Sequence, residues 1–147
     1  MAFLNLKNMK INFVIIAFAL FALGCSENKQ EQIQHLDGYW EIVSVENENG
    51  VLKEFNISTT LDYISVENTL GKRTKVKPQL DGTFITSGNV EEFEIITEFP
   101  EQLALNYKTP YATWTEFIIE ATKEKLVILN EEGKKYTYKR FIKFNFE

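Results

Sequence analysis

From Leu36 onward, apolar and polar residues alternate over short stretches that are separated by turn residues. The stretch Tyr39 to Glu46 is rich in aromatic and β-branched residues and ends shortly before Asn49-Gly50, a strong hairpin signal. Gln102 to Lys108 alternates cleanly, which places Leu103, Leu105 and Tyr107 on one face. Turns at Asp81-Gly82 and Gly133 divide the chain in the same way. This pattern predicts eight to nine short β-strands joined by short turns.

One segment, 109–121, fits two kinds of element. Tyr111, Trp114, Ile118 and Ala121 match a helical stripe, and Thr109-Pro110 is a possible helix start. The same segment contains a run of β-branched and aromatic residues, which favours a strand. We predict a strand over about 113–121, and the alternative is a helix that would cover one side of the sheet.

A series of sequential hairpins gives an up-and-down antiparallel sheet, which removes its exposed edges by closing into a barrel. The fold class predicted is therefore all-β, an up-and-down barrel of eight to nine strands, with a two-sheet β-sandwich as the alternative. In the first strand, Trp40 and Ile42 lie on one face while Val43 and Val45 lie on the other, which indicates either a bulge near Ser44 or a strand that is covered on both sides.

The N-terminus has a different composition from the rest of the chain. Residues 1–24 contain two lysines and no acid, and from Ile11 to Leu23 they are almost wholly apolar, which is typical of a secretory signal. The apolar run is shorter than the roughly 20 residues that a transmembrane helix needs. It ends at Ala22-Leu23-Gly24-Cys25, and Cys25 is the only cysteine.

This ending resembles the lipobox of bacterial lipoproteins, in which the cysteine receives a diacylglycerol and the leader is removed. The resemblance implies that Cys25 is the lipid-attachment site and that the protein is anchored to a membrane. Ser26 after the cysteine is compatible with export to the outer membrane, on its periplasmic or cell-surface face. Residues 25–35 are polar and without pattern, so we predict a lipidated flexible tether followed by one domain over 36–147.

Composition then limits the chemistry of the domain. Without the leader the chain keeps all 21 acids against 14 basic residues, a net charge of −7, which argues against a nucleic-acid partner. A single cysteine excludes an internal disulfide and a multi-cysteine metal site, and a single histidine, His35, excludes a multi-histidine centre. No catalytic, phosphate-binding or metal motif is present, so we predict neither an enzyme nor a cofactor.

The start and the end of the domain resemble a known family. Gly38-Tyr39-Trp40 is similar to the Gly-x-Trp opening of lipocalins and of lipocalin-like lipoprotein domains of the Bacteroidetes, and Arg140 in the last strand matches the arginine that packs over that tryptophan. The resemblance implies a barrel that binds a small, partly apolar molecule. The predicted ligand contacts are Trp40, Tyr107, Trp114, Tyr136, Tyr138 and Arg140.

Two features leave the function open. The basic stretch Lys72 to Lys77 places Arg73, Lys75 and Lys77 on one face, and it fits either a charged edge strand or a docking face for an anionic partner. A barrel of eight strands can also be filled by its own side chains. The alternative function is therefore an envelope interaction or inhibitor protein without a small-molecule ligand.

Overall fold

A computed structural model describes residues 28–143 and contains one short helix followed by nine strands. The predicted signal sequence and Cys25 lie outside the described residues. The elements are α1 (Lys29–Leu36), β1 (Gly38–Asn47), β2 (Gly50–Glu54), β3 (Leu61–Glu67), β4 (Leu70–Pro78), β5 (Phe84–Ile96), β6 (Leu103–Lys108), β7 (Thr113–Ala121), β8 (Lys125–Asn130) and β9 (Lys135–Arg140).

The strands form one antiparallel sheet that closes on itself. Its order is β2-β1-β3-β4-β5-β6-β7-β8-β9, and β9 also pairs with β1. Eight strands, β1 and β3 to β9, make the barrel, and β2 is an extra strand that pairs with β1. The predicted up-and-down barrel is confirmed, and the β-sandwich alternative is wrong.

Strand β1 is shared between two neighbours on one side. Its first residues, Gly38 to Trp40, pair with β3, and Ser44 to Asn47 pair with β2. On its other side the register with β9 shifts between Ile42 and Ser44, which is the bulge predicted from the change of apolar face. Segment 113–121 is a strand, β7, as predicted from its β-branched residues.

The predicted flexible tether is wrong for most of its length, because α1 occupies Lys29–Leu36. The side chain of Asn28 accepts a hydrogen bond from the backbone N–H of Gln30 and caps the helix. Leu36 is fully buried and Ile33 packs against the same core. Burial of a leucine contributes about 2 kcal/mol, so α1 is held by the barrel rather than by an amphipathic pattern of its own.

Helix α1 closes one end of the barrel, which we call the closed end. Arg140 and Asp37 tie together the elements that meet there. The Arg140 side chain donates to the carbonyl oxygens of His35, Asp37 and Lys123, and the Asp37 carboxylate accepts from the backbone N–H of Val66. The β1–β2, β6–β7 and β8–β9 turns lie at the opposite, open end, because each antiparallel strand reverses direction.

Candidate functional site

The six residues predicted to contact a ligand occupy two levels of the barrel. Trp40 and Arg140 lie at the closed end, where the Arg140 guanidinium carbon is 3.9 Å from the centre of the Trp40 ring. The Trp40 indole N–H donates to the carbonyl oxygen of Leu36 at 2.9 Å. The contact between the two side chains confirms the predicted packing of Arg140 over Trp40. The hydrogen bond to Leu36 joins α1 to the barrel.

The other four residues, Tyr107, Trp114, Tyr136 and Tyr138, belong to the hydrophobic core or pack against it. The rings of Tyr107 and Trp114 are stacked, with centroids 4.8 Å apart and planes at 3°. The Phe93 ring is tilted by 54° against the Tyr107 ring, with centroids 5.1 Å apart. Tyr107 and Trp114 pair next to the β6–β7 turn, so these rings fill the interior towards the open end of the barrel.

A buried group of charged and hydroxyl side chains lies beside these rings, and we call it the ion cluster. Its members are Asp62, Arg73, Tyr107, Glu116 and Tyr138. Arg73 donates to the Tyr138 hydroxyl at 2.7 Å and to Glu116 at 3.1 Å, and its Nε lies 3.3 Å from Asp62. The Arg73 side chain is 11% exposed, so these ion pairs are largely removed from water. Removing one partner of such a buried pair destabilises the fold strongly, because the other charge is left buried without a counter-charge.

The two carboxylates of the ion cluster respond differently to the same burial. Burial disfavours the charged form of Asp62, but the positive charges of Arg73 and Lys75 outweigh it and hold the Asp62 pKa below its usual range. Lys75 Nζ lies 2.6 Å from Asp62 Oδ1. Burial raises the pKa of Glu116, and Arg73 only partly offsets this effect. Burial also raises the pKa of Tyr138 to about 12.

The prediction of a charged edge strand at Lys72 to Lys77 is wrong. Strand β4 pairs with β3 on one side and with β5 on the other, so it has no free edge. Arg73 and Lys75 both contact Asp62, as their predicted shared face requires, but Arg73 is buried while Lys75 is 57% exposed. The register of β4 against β5 shifts between Thr74 and Val76, so the predicted alternation does not continue regularly to Lys77. Sequence reasoning missed Asp62, Arg73 and Glu116 as partners. The sequence signal for such partners is a charged residue that alternates with apolar residues within a strand.

The structure also contains a surface cavity of about 860 Å³ on the outer wall of the barrel, which we call the lateral cleft. It lies between the β2–β3 connection, the β4–β5 hairpin, the outer face of β1 and β9, and the segment that follows β9. The lining residues are Glu41, Asn56, Ile57, Ser58, Thr59, Pro78, Gln79, Leu80, Gly82, Thr83, Phe84, Lys139, Phe141 and Lys143. None of the six residues predicted to contact a ligand lines it.

Stacked aromatic rings connect the wall of the lateral cleft to the barrel. Phe84, at the start of β5, stacks on Tyr39 of β1 with centroids 4.2 Å apart and planes at 10°. Tyr39 in turn stacks on Tyr63 at 4.6 Å, and Phe141 meets the edge of Phe84 at 6.3 Å. The β4–β5 hairpin is thereby held back against the outer wall, which creates the cleft.

Polar contacts order the opposite wall of the lateral cleft. The Glu41 carboxylate accepts a hydrogen bond from the backbone N–H of Ser58 at 3.2 Å and lies 3.2 Å from Lys139 Nζ. Across the cleft mouth, Ile57 and Leu80 are 85% and 93% exposed. Lys143 Nζ lies 4.7 Å from the centre of the Phe84 ring. The site thus combines an aromatic base, two uncovered aliphatic side chains and a cation, an arrangement that suits a small amphipathic molecule.

Comparisons with known proteins add one likeness. No protein-family model and no curated protein matches the chain. Among solved structures, the chain is similar to a lipocalin-like protein from Bacteroides uniformis ATCC 8492, with 11% identity and a TM-score of 0.45 over 73% of this chain and 99% of that chain. The barrel described above is assigned from the strand pairing of this chain alone.

Residues 28–143 also lack the features of two other kinds of site. This part of the chain holds no group of three or more histidine, cysteine or acidic residues that could bind a metal ion. It also holds no helix long and apolar enough to span a membrane.

Proposed function

We propose that the protein is an outer-membrane lipoprotein, anchored through Cys25, whose barrel binds a small, partly apolar molecule in the lateral cleft. The lipobox-like sequence before Cys25 supports the anchor. The lateral cleft carries the binding proposal, because its volume of about 860 Å³ falls in the range of roughly 300–1,000 Å³ that is typical of ligand sites. The proposal places the ligand on the outer wall, whereas the resemblance to lipocalins implies the interior.

The side chains around the lateral cleft support this choice of site. Single exposed apolar residues are common on protein surfaces, but Ile57 and Leu80 both border one cavity that also contains Phe84 and Phe141. An apolar ligand would cover these side chains and remove them from water. Lys143 lies beside the ring of Phe84 and would pair with a polar or anionic substituent of the ligand.

Native mass spectrometry of the protein purified from its own host tests the binding proposal. We expect a co-purified small molecule with wild type that is lost in Ile57→Asp and Leu80→Asp, because each variant puts a charge at the mouth of the lateral cleft. Leu52→Asp is the matched control, since Leu52 is 54% exposed on β2 and lies outside the cleft. Equal loss in the control, or retention in both cleft variants, would contradict the assigned site.

One observation favours a second candidate function, an envelope interaction protein with a filled barrel. The Tyr107–Trp114 stack and the ion cluster occupy the interior that a lipocalin ligand would use. Under this alternative, repeated purification from the host yields a stably bound protein partner and no small molecule. An affinity tag placed at the open end leaves the side chains of the interior unchanged. Purification through this tag, followed by native mass spectrometry, separates the two functions.

A further inference from the structure

The docked helix α1 limits where a lipid on Cys25 can hold the domain. Asn28 is already in place as the cap of α1, so only Ser26 and Glu27 separate Cys25 from the folded part. A chain advances at most about 3.6 Å per residue, so Cys25 lies within about 11 Å of Asn28. A flexible tether of ten residues would instead have a mean span of roughly 18 Å and leave the domain free to rotate.

The start of α1 lies at the closed end of the barrel. The Lys29 ammonium group donates to the carbonyl oxygens of Thr97 and Phe99, which belong to the β5–β6 connection. The β3–β4 turn joins the same end, because the backbone N–H of Ile95 donates to the carbonyl oxygen of Thr69 at 2.7 Å. The attachment point of the short link is therefore fixed relative to these turns.

We infer that the bilayer faces the closed end of the barrel, and that the β1–β2 turn at the open end points away from it. This inference rests on the proposed lipidation of Cys25. The apolar side chains of Phe99 and Leu70, at the closed end, are 42% and 63% exposed and become the surface closest to the lipid. Because the link is short, a lipid on Cys25 brings the bilayer surface against this end.

The charge of the closed end bears on how it is held there. Glu31, Glu98 and Glu101 are exposed around the start of α1 and the β5–β6 connection, beside Lys29. The exposed Lys123 and Lys125 at the β7–β8 connection offset part of this charge, so the closed end is not a basic patch that would attract anionic headgroups. The acyl chains and the short link therefore hold the domain in place. The Cys25→Ser protein is accordingly expected to show no binding to phosphatidylcholine vesicles or to vesicles containing phosphatidylglycerol.

Two matched cysteine variants measure the orientation. Glu101→Cys lies at the closed end and Glu48→Cys in the β1–β2 turn; both residues are exposed glutamates, so the charge change is the same. The ten-residue β1 gives about 25 Å between the two ends along a barrel axis, at about 3.3 Å per residue and a strand tilt of about 40°. Each new thiol carries a fluorophore, since acylation blocks the thiol of Cys25.

The labelled, acylated proteins are reconstituted in phosphatidylcholine vesicles that contain a headgroup-nitroxide lipid. We expect several-fold stronger quenching at position 101 than at position 48. Equal quenching, or stronger quenching at 48, in protein whose Cys25 peptide carries the acyl mass overturns the orientation and leaves the anchor intact. Absence of the acyl mass together with loss of vesicle flotation overturns both the anchor and the orientation.

A linker insertion checks that the short link causes the orientation. About 20 Gly/Ser residues inserted after Glu27 have a mean span of roughly 25 Å. The inserted protein is expected to remain in the membrane fraction and to lose the difference between positions 101 and 48. A difference that survived the insertion would overturn the inference, because the link would then not be what sets the orientation.

Discussion

Replacing Arg73 by methionine tests whether the ion cluster is held together by charge. Methionine keeps most of the side-chain length and removes the cation that contacts both Glu116 and Tyr138. Each ion pair at about 3.2 Å contributes roughly 5 kcal/mol at an effective dielectric constant of about 20. Removing the arginine also removes the free-energy cost of desolvating it, which is several kcal/mol and partly offsets the lost ion pairs.

The expected net loss is about 4 kcal/mol at neutral pH, within the range measured when one partner of a buried pair is removed. Urea denaturation followed by the fluorescence of Trp40 and Trp114 measures it. With a urea dependence of about 2 kcal/mol per molar, the midpoint falls by roughly 2 M. Lys72→Met is the matched control, because the Lys72 side chain is 62% exposed on the same strand and its pair with Glu92 is open to solvent.

The pH dependence separates the loss of charge from the loss of packing. Asp62 keeps Lys75 at 2.6 Å, so Glu116 is the group left without a cation in the Arg73→Met protein. The pKa of Glu116 is already raised by burial, and removal of Arg73 raises it further. A carboxyl group with a raised folded-state pKa stabilises the fold below its unfolded pKa and loses that contribution as pH rises. The deficit relative to wild type is therefore largest near pH 7 and shrinks towards pH 4.5.

Two outcomes would refute this reasoning. One is a deficit that stays constant between pH 4.5 and 7.5, which would mean that the arginine acts only through packing. The other is a midpoint shift no larger than that of Lys72→Met. Adding Glu116→Gln to Arg73→Met supplies an independent check, since a neutral amide needs no counter-charge and recovers most of the lost stability at pH 7.

The remaining predictions concern the rest of the ion cluster and the closed end. Tyr138→Phe loses a hydroxyl bonded to a charged guanidinium and costs about 2 kcal/mol at neutral pH. The Tyr138 pKa is raised to about 12 from an ordinary 10.0, so wild type loses stability as pH rises through this interval. The denaturation midpoint of the variant is expected to fall less steeply over the same interval. Midpoints of wild type and variant that fall in parallel would contradict this expectation. Arg140→Gln removes the cation over Trp40 and three bonds to backbone oxygens, and costs about 3 kcal/mol. Hydrogen exchange of the α1 amides is expected to rise in this variant, and unchanged α1 protection would show that Arg140 does not hold the helix.

The parts of the fold that were predictable from sequence are those with a local physical cause. Asn49-Gly50 marks a hairpin because its residues tolerate the backbone of a tight turn, and Gly50 has a φ of +118°. The change of apolar face near Ser44 marks a bulge, which the register shift against β9 shows. The β-branched residues of 113–121 fit the pleated surface of a strand. Each of these features is determined within a few residues.

The parts that were not predictable depend on contacts distant in sequence. Helix α1 carries only Ile33 and Leu36 as apolar residues, and they form a helix surface only because the barrel end accepts them. Alternation placed Arg73 and Lys75 on one face without showing which face is inside. That choice depends on Asp62, which meets them across the β3–β4 pairing.

The division between interior and outer wall explains why the predicted ligand contacts and the lateral cleft differ. The interior contains stacked rings and buried ion pairs, and opening it for a ligand would separate Arg73 from Glu116 and leave that carboxylate without a counter-charge. The lateral cleft needs no such rearrangement, because Ile57 and Leu80 are already exposed beside an ordered aromatic wall. Under the proposed function, stability and binding are therefore carried by different side chains, so we expect substitutions in the ion cluster to change the denaturation midpoint and those at the cleft mouth to change binding alone.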